Sequence, residues 1–395
     1  MGEWKNVRVG ELGKIITGKT PKTSISDNYG GRIPFLTPSD NMSVKYVGKT
    51  SKTLTEKGLL EVKNAILPEN SVCVSCIGSD LGKAVITTCP TVTNQQINSI
   101  IVDEKSFDVS FVYYAMQILG KKMNFISKTS TAVPIVNKSS FSSYEIKCPP
   151  REDQKRIAAV LSALDSKIEC NKKINDNLEQ QAATYFQELF INNANPMWQI
   201  STISDLGTVV GGSTPSKTKP EYYTNNGIAW ITPKDLSINK SKFISHGEND
   251  ITELGLKNSS ATVMPKGTVL FSSRAPIGYI AIASNEVTTN QGFKSVIPYS
   301  EIGTAFVYFF LKHSLPVIES AASGSTFKEI SGSAMKNIPA IIPDRNTLDQ
   351  FNSFCAPIFA QQKILEEQNH SLAMLRDSLL PKLMSGAIDI ASIQL

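Results

Sequence analysis

Residues 4–40 read WKNVRVGELGKIITGKTPKTSISDNYGGRIPFLTPSD, and residues 198–235 repeat this pattern as WQISTISDLGTVVGGSTPSKTKPEYYTNNGIAWITPKD. Both copies open with Trp, continue with Leu-Gly, and share Gly-x-Thr-Pro and Thr-Pro-x-Asp motifs. Further matches follow in the same order: Leu67-Pro68 with Met264-Pro265, Ser75 with Ser272, Gly82 with Gly278, Asn94-Gln95 with Asn290-Gln291, and Phe111-Val112-Tyr113 with Phe306-Val307-Tyr308. A period of about 195 residues is that of a whole domain with its linker, so the sequence predicts two copies of one domain.

Length and composition restrict the class of protein. The 395 residues suffice for two or more domains, each with its own core. No run of about 18 apolar residues exists that would span a membrane. The first residues, MGEWKNVRVG, lack the apolar segment of a signal peptide. We therefore expect a cytoplasmic protein whose cysteines are reduced.

The positive charge is concentrated in the two repeated blocks. Residues 1–150 carry a net +6, from 18 Lys and Arg against 12 Asp and Glu, and residues 193–343 carry +2, from 12 against 10. Residues 151–192 carry −1, from 6 against 7, and residues 344–395 carry −2, from 4 against 6. This distribution fits phosphate contacts made by the blocks, although ordinary solubility charge explains it equally well.

Each repeat begins with a block that has the pattern of a mostly β domain. Short apolar runs bounded by turn residues predict strands of about five residues: SVCVSCIG, AVITT, NSIIV, GTVLFSS and YIAIAS. Two further segments, SFDVSFVYYAMQIL and EIGTAFVYFFLKHSL, follow a capping residue with apolar residues at helical spacing, so they predict one helix in each block.

A long helix is predicted after each block. Its seam of heptad positions in residues 151–192 consists of Ile157, Leu161, Leu164, Ile168, Asn171, Asn175, Leu178, Ala182, Tyr185 and Leu189. The counterpart in residues 344–395 consists of Phe351, Cys355, Ile358, Gln362, Leu365, Asn369, Leu372, Arg376, Leu379 and Leu383. Asn175 and Asn369 occupy matching positions, and polar seam residues fix register at a cost in stability. Pro357 and Pro381 predict a kink or a break in the second helix.

These elements predict an α+β fold with four segments. Residues 1–150 and 193–343 form two mostly-β domains related by a pseudo-twofold axis, and residues 151–192 and 344–395 form the two long helices that separate them. A single helix of about 40 residues cannot bury its apolar stripe alone, so we expect the two helices to pack antiparallel. Duplex DNA with two half-sites has a matching symmetry.

The ordered, duplicated motifs resemble the DNA-specificity subunit, or S subunit, of type I restriction–modification systems. The resemblance covers nearly the whole chain. It rests on the repeated Trp-to-Leu-Gly opening, the Gly-x-Thr-Pro and Thr-Pro-x-Asp turns, and Asn-Gln after a strand. The segments Thr129-Ser130-Thr131 and Gly324-Ser325-Thr326 also match, although the first copy has Thr where the second has Gly.

The resemblance implies a function and a set of partners. Each β domain would be a target-recognition domain that reads one half of a bipartite sequence in double-stranded DNA. The helices would space these domains and dock two methyltransferase (M) subunits, with restriction (R) subunits as a further partner of the complex. The chain itself would be non-catalytic, with no cofactor, no metal and no membrane partner.

Two alternatives remain open at this stage. Residues 13–20, GKIITGKT, satisfy the phosphate-loop pattern and raise the alternative of a P-loop ATPase. The copy at residues 207–214 has no Lys, and neither copy has the flanking strand and helix that this site requires. The second alternative is a coiled-coil scaffold with two protein-binding β domains. DNA binding with a steep salt dependence would separate it from a DNA reader.

A metal site is not favoured by the cysteine pattern. Cys73-x-x-Cys76 and Cys89 have zinc-like spacing, but Cys73 lies in an apolar strand and no His is near. The second repeat has Leu270 and Ser273 at the positions of Cys73 and Cys76. Buried structural thiols explain the pattern better than a metal site.

The candidate DNA-contacting residues lie in predicted loops. Lys and Thr suit phosphates, and Arg274 is the first choice for a guanine reader because Arg makes bidentate contacts with guanine. The candidates are Lys19, Thr20, Lys22, Lys45, Lys49, Lys52 and Lys83 in the first block, and Thr214, Lys217, Lys219, Lys234, Lys240, Lys242, Ser273 and Arg274 in the second. For each lysine, an ordinary solvated side chain remains the alternative.

The candidate partner-binding residues lie on the two helices. They are Leu164, Ile168, Asn175 and Leu178 in the first helix, and Leu365, Asn369 and Leu372 in the second. Asn94-Gln95 and Asn290-Gln291 are interpreted as turn residues, because residues alike in both blocks cannot explain why two domains would read different bases.

Overall fold

A computed structural model describes residues 3–128, 135–274, 276–324 and 328–390. The chain divides into two compact units. Unit 1 comprises Met1–Glu169 and Ser371–Leu395, and unit 2 comprises Cys170–His370. Each long helix therefore contributes one part to unit 1 and the other part to unit 2.

The strands are short and fall into two sets that repeat along the chain. The first set is β1 (Lys5–Arg8), β2 (Gly13–Thr17), β3 (Tyr29–Leu36), β4 (Tyr46–Val47), β5 (Lys52–Leu54), β6 (Ile66–Leu67), β7 (Ser71–Ser75), β8 (Ala84–Thr87), β9 (Thr91–Thr93), β10 (Ile97–Val102) and β11 (Glu145–Cys148). The second set is β12 (Gln199–Thr202), β13 (Gly207–Gly211), β14 (Tyr223–Thr224), β15 (Ile228–Ile231), β16 (Phe243–Ile244), β17 (Asn249–Ile251), β18 (Val269–Ser273), β19 (Ile277–Ala283), β20 (Thr288–Thr289), β21 (Lys294–Pro298) and β22 (Pro339–Ile342).

The helices connect these strands and close each repeat. They are α1 (Glu56–Glu61), α2 (Val109–Lys128), α3 (Lys138–Ser143), α4 (Arg151–Gln187), α5 (Pro233–Ile238), α6 (Glu253–Lys257), α7 (Thr304–His313), α8 (Leu315–Ala321), α9 (Gly332–Lys336) and α10 (Arg345–Ser385). A π-helical turn, Glu188–Asn192, extends α4. No helix within the described ranges combines the length and the apolarity that crossing a bilayer requires.

The two units share the strand order of their five-stranded sheet. Unit 1 has a five-stranded sheet in the order β2-β10-β7-β8-β4, and unit 2 has the corresponding order β13-β21-β18-β19-β16. Each unit adds a four-stranded sheet, β5-β3-β9-β6 or β14-β17-β15-β20, and a two-stranded sheet, β1-β11 or β12-β22. The sequence repeat is therefore a repeat of fold, which confirms the prediction of two mostly-β domains.

The five-stranded sheet is covered on both faces, so its central strands direct apolar side chains to both of them. In β7, Val72 and Val74 join the core under α2, α4 and α10, whereas Cys73 joins a second core with residues of the four-stranded sheet. In β18, Phe271 and Leu270 divide in the same way between two cores. Fully burying such a side chain contributes roughly 1.5–3 kcal/mol, so the double cover stabilises each sheet.

The long helices pack antiparallel within each unit, as expected from the sequence. In unit 2 the Gln362 amide donates to the Asn175 carbonyl over 3.1 Å, and the Asn171 amide donates to Gln368 Oε1 over 3.3 Å. In unit 1 Arg376 Nη1 lies 2.9 Å from Asp165 Oδ1. Residue numbers rise along α4 as they fall along α10, which defines the antiparallel pair.

The expected break in the second helix is not present, since α10 continues from Arg345 to Ser385 through both prolines. Proline removes only one backbone hydrogen bond and adds a local clash with the preceding turn. Cys355 and Ile358 beside Pro357 are buried in unit 2, and Leu380 and Leu383 beside Pro381 are buried in unit 1. This packing keeps the helix continuous where the sequence alone predicted weakness.

Candidate nucleic-acid interface

The duplicated Gly-x-Thr-Pro and Asn-Gln motifs meet in each unit. Thr20 Oγ1 donates to Gln95 Oε1 over 2.6 Å, and in the second copy Thr214 Oγ1 donates to Gln291 Oε1. Asn94 Oδ1 accepts from the Gln96 amide over 3.1 Å, which closes an Asx turn. The motifs thus hold two loops together, and this confirms the interpretation of Asn-Gln as turn residues.

The Thr-Pro-x-Asp motif fixes a second loop. Asp40 Oδ2 accepts from the Thr37 amide over 2.8 Å, while its Oδ1 accepts from the Ser51 amide over 2.7 Å. Burial opposes ionisation of Asp40, but the hydrogen bonds from Ser51 and Thr37 outweigh it and lower the pKa of this carboxyl. Asp235 bonds the Thr232 and Glu248 amides in the same manner. The shared motifs therefore build a frame common to both units.

Lysines on the loops of this frame form the candidate interface of unit 1. The side chains of Lys19, Lys22, Lys49 and Lys52 are exposed, and none has an ion-pair partner among the described residues. Thr20 lies between two of them and takes part in the frame. Lys83 differs, because its ammonium lies 2.5 Å from Asp80 Oδ1. Exposed cations on fixed loops can contact an extended polyanion.

The corresponding lysines of unit 2 are exposed but mostly have a local partner. Lys219 lies 3.8 Å from Glu221, and Lys234 lies 2.5 Å from Glu248. Lys240 lies 4.4 Å from the centre of the Tyr279 ring, and Lys217 has no ion pair within the described part of the chain. Because exposed ion pairs contribute at most about 1 kcal/mol, a phosphate could replace these carboxylates.

Two predicted DNA contacts, Lys45 and Lys242, do not lie on this surface. Lys45 is half-buried against α4, and the Lys242 side chain is only 6% exposed. The sequence placed both in open loops, but their ammonium groups find partners on the helices and not in solvent. In this conformation the Lys45 ammonium already contacts Ser162, and the Lys242 ammonium contacts Glu179 and Gln362.

The sequence analysis also placed Ser273 and Arg274 in an exposed loop, and the structure gives both a different environment. Ser273 ends β18 and is fully buried. Arg274 is half-exposed, but its guanidinium lies 3.5 Å from Glu329, a carboxylate that also lies 3.7 Å from Lys294. Arg274 must therefore give up its ion pair with Glu329 to reach the neutral acceptors of a base. Thr129-Ser130-Thr131 and Ser325-Thr326 lie outside the described residues.

Most of the cysteines are buried in packed parts of the structure. Cys73 is fully buried, and burial raises the pKa of its thiol to about 12, against a smaller opposing effect of the hydrogen bond from Ser99. Cys76 and Cys148 are buried as well, and burial raises the pKa of each thiol. Within the described ranges, no three His, Cys, Asp or Glu side chains group in a way that could hold a metal ion.

The GKIITGKT segment does not form a phosphate loop. Gly13–Thr17 is strand β2, and Lys19 and Thr20 lie in the turn after it. The next helical segment, Ser26–Asn28, is a single three-residue turn. A phosphate loop instead needs a glycine-rich turn that runs directly into a helix. The P-loop ATPase alternative is therefore not supported.

Comparison with known families identifies the repeated domain. The family model described as the type I restriction modification DNA specificity domain matches residues 1–180 and 195–369. The chain belongs to this specificity family. The two matched segments contain both sheet frames described above, so the duplication seen in the sequence is a duplication of the specificity domain.

Curated relatives are similar to this specificity-family chain in part or throughout. One is the type I restriction enzyme MjaIX specificity subunit of Methanocaldococcus jannaschii, 43% identical over 162 residues. That match covers 40% of this chain and only 37% of the relative. Another is the HindI specificity subunit of Haemophilus influenzae, 23% identical over 474 residues, which covers 98% of this chain and all of the relative.

A solved structure shares the fold. The type I restriction–modification S subunit from M. genitalium matches with a TM-score of 0.62 and covers 97% of this chain and 96% of its own. At 16% sequence identity, this likeness concerns the fold alone. The scaffold alternative receives no support from these comparisons.

The seam residues predicted to bind partners mostly face the helix pair of this specificity-family chain. Ile168 and Leu365 are buried, and Leu164, Leu178 and Leu372 are half-buried. Asn175 and Asn369 lie in the same seam, each with a buried Oδ1 that lacks a partner in the described structure. Exposed apolar residues of the long helices were missed by the sequence analysis, among them Ile174, Ile364, Met374 and Leu375. The sequence did contain a signal for them, because an apolar residue outside the heptad seam of a long helix is expected to lie on its exposed face.

Proposed function

We propose that this specificity-family chain reads a bipartite double-stranded DNA target, one half with each unit, inside a type I restriction–modification complex. The observation that supports this proposal most directly is that the same frame of loops occurs in both units with different side chains on it. Thr20 and Thr214 occupy the same place, yet the residues that flank the Thr-Pro pair are Lys19 and Lys22 in unit 1 and Ser213 and Ser216 in unit 2. A common frame with different exposed groups suits two readers of two different half-sites.

The proposal divides the lysines by role. Lys side chains suit phosphates, which position a protein on the duplex but carry no sequence information. Polar side chains on the same loops would then read base edges, with Arg274 as the candidate for guanine once Glu329 releases it. In this proposal Lys45, Lys242 and Ser273 are left out of the DNA contact, because they are buried or directed at the helices.

We propose further that the chain recognises DNA without catalysing a reaction on it, and that methyltransferase subunits dock on the long helices. Groups with strongly raised pKa values, among them Tyr113 and Cys355, owe the shift mainly to burial in packed cores and not to a place in an open cleft. Met374 and Leu375 expose 62% and 48% of their side chains on α10, which supplies an apolar surface for a partner. The same proposal includes two methyltransferase subunits for each chain and restriction subunits as a further partner of the complex.

Mapping of methylated sites tests the reading function. The wild-type chain is expressed with its methyltransferase subunits in a host without other methylation, and modified bases are located by sequencing. A bipartite consensus is expected. Exchange of residues 1–150 for those of another family member should change one half of that consensus and leave the other. A change in both halves, or methylation without a consensus, would contradict two independent readers.

Co-purification tests the docking surface. Met374→Asp and Leu375→Asp should abolish binding of methyltransferase subunits while leaving the thermal midpoint of the isolated chain close to that of the wild type. Ser378→Asp is the matched control, because Ser378 is exposed on the same helix and the variant adds the same charge without removing an apolar side chain. Full recovery of the complex with both apolar positions changed would overturn this part of the proposal.

A further inference from the structure

A buried lysine holds the edge of the five-stranded sheet in unit 2. Lys242 immediately precedes edge strand β16, and its ammonium contacts the Glu179 carboxylate of α4 and lies 2.6 Å from Gln362 Oε1 of α10. It also lies 4.1 Å from the centre of the Phe359 ring. One side chain thus ties the sheet edge to both long helices.

The backbone beside Lys242 is held as well. The amides of Lys242 and Phe243 donate to the two carboxylate oxygens of Glu366, over 2.8 and 3.0 Å. Lys312, on α7, also pairs with Glu179 at 2.5 Å, but it is 42% exposed. Two lysines and two glutamates therefore balance in charge at this junction, and only Lys242 is fully enclosed.

Unit 1 has a lysine at the same place in the repeat. Lys45 immediately precedes edge strand β4, and its Nζ donates to Ser162 Oγ of α4 over 2.6 Å. Tyr114, whose hydroxyl lies 3.4 Å from Lys45 Nζ, donates to Asp165 Oδ2 over 2.6 Å. Arg376 of α10 completes this network through Asp165. Both repeats therefore have a lysine before the edge strand, although the side chains that contact its ammonium group differ between the two units.

A buried ammonium restricts how the sheet can lie on the helices. A shift of the sheet edge along α4 and α10 would separate Lys242 from Glu179 and Gln362 together. Because an enclosed charge without a partner is strongly unfavourable, intermediate positions are costly. The sheet therefore has one preferred position on the helix pair within its unit.

We propose that Lys45 and Lys242 are positioning residues that fix each recognition sheet at one place on the helix pair and so keep the gap between the two DNA half-sites constant. This inference rests on the proposed function. Lys242 should matter more than Lys45, because Lys45 is only half-buried and its direct acceptor on α4, Ser162, is neutral.

Methylation mapping on the assembled complex measures the gap. Lys242→Met should keep both half-site sequences but allow sites whose gap is one base pair longer or shorter, with their modification rising at least tenfold over the wild type. Lys45→Met should give a smaller increase. Lys312→Met is the matched control, since it removes the exposed partner of the same Glu179 carboxylate, and it should leave the gap unchanged.

A double variant separates position from stability. Glu179→Gln alone removes the carboxylate that contacts the Lys242 ammonium and leaves two lysines against one glutamate, so this variant should be the least stable. Lys242→Met combined with Glu179→Gln removes both charges and keeps an acceptor for the Tyr308 hydroxyl, which bonds Glu179 over 3.2 Å. It should recover stability over Glu179→Gln while retaining the relaxed gap. A strict native gap in this folded variant would overturn the inference.

Hydrogen–deuterium exchange on the free chain tests the same inference without DNA. In the double variant, amides of β16 should exchange at least tenfold faster than in Lys312→Met, because the sheet edge is no longer held. Unchanged protection of β16 in the double variant would overturn the inference about Lys242. A wild-type complex that modifies no bipartite site would instead contradict the proposed function and would leave the role of Lys242 standing.

Discussion

Thr20 donates a hydrogen bond to Gln95 over 2.6 Å although 75 residues separate them, and Thr214 makes the same bond to Gln291. Both pairs join a loop after the first strand of the five-stranded sheet to a turn before its second strand. We expect Thr20→Val to cost about 1 kcal/mol of unfolding free energy, the usual contribution of such a bond. Urea unfolding measures it, with exposed Thr23→Val as the control. An equal loss in both variants would contradict a specific role for Thr20.

A pair of adjacent glycines gives a sharper test of the frame. A Cβ on Gly212 would lie 2.0 Å from the Asn290 carbonyl oxygen, whereas a Cβ on Gly211 would meet no atom within 4 Å. Gly212→Ala should therefore destabilise the chain by roughly 2–3 kcal/mol, and Gly211→Ala should change its stability by less than about 0.5 kcal/mol. Thermal unfolding compares the two. Similar midpoints would mean that the close approach of these loops is not required.

The sequence predicted the parts of the fold that follow local rules. Val72, Cys73 and Val74 form an uninterrupted apolar run bounded by turn residues, so the strand was evident before any contact was known. The repeated Gly-x-Thr-Pro motif predicted a turn in each block, but the close approach of Gly18 and Gly212 to the facing loop is seen only in the structure.

The positions of Lys45 and Lys242 could not be predicted in the same way. A lysine between turn residues is ordinarily solvated, and its burial here depends on Asp165 and Glu179, which are far away in sequence. The continuity of α10 through Pro357 likewise depends on tertiary packing around Cys355 and Ile358. Where long-range contacts decide exposure, local pattern fails.

The stability of unit 1 should depend on pH through Lys45. Burial lowers the pKa of Lys45 to about 8, against the opposing attraction of Asp165 and Asp108. In the unfolded chain the pKa is about 10.4, so between these values the unfolded state binds more protons and stability rises with pH. Tyr113 and Tyr114, which face Lys45 from α2, stay protonated there because burial raises the pKa of each hydroxyl. Arg376 stays charged throughout.

Urea midpoints at pH 7.5 and pH 9.5 measure this effect. Relative to Lys45→Met, the wild type should gain stability between the two pH values. Lys49→Met, which removes an exposed lysine of the same unit, is the control and should follow the wild type. A loss of wild-type stability relative to Lys45→Met over this range would contradict the sign.

The exposed lysines of unit 1 should act through phosphates. Lys49→Ala and Lys52→Ala should each weaken binding of the assembled complex to specific and nonspecific duplexes alike, and should reduce the slope of log affinity against log salt by about 1. Fluorescence anisotropy over a salt series gives both quantities. Lys105→Ala is the matched control, because Lys105 is an exposed loop lysine beside the start of α4. An unchanged slope in the first two variants would exclude them from the phosphate contact.

The last prediction concerns the length of the long helices. Four residues inserted after Glu169 and four after His370 lengthen both α4 and α10 at the boundary between the units. Placing both insertions there keeps the Asp165–Arg376 pair inside unit 1 and the Asn171–Gln368 pair inside unit 2. Each helix gains about 6 Å, while its rotation changes by only about 40°. Since base pairs rise about 3.4 Å, the gap between half-sites should grow by one or two base pairs. The bases read should stay the same, because no loop of either sheet is altered.

One residue inserted at each place should be more harmful than four, because it rotates one part of each helix by about 100°. Methylation mapping decides the matter: full activity at the original gap would mean that the helices do not set the distance.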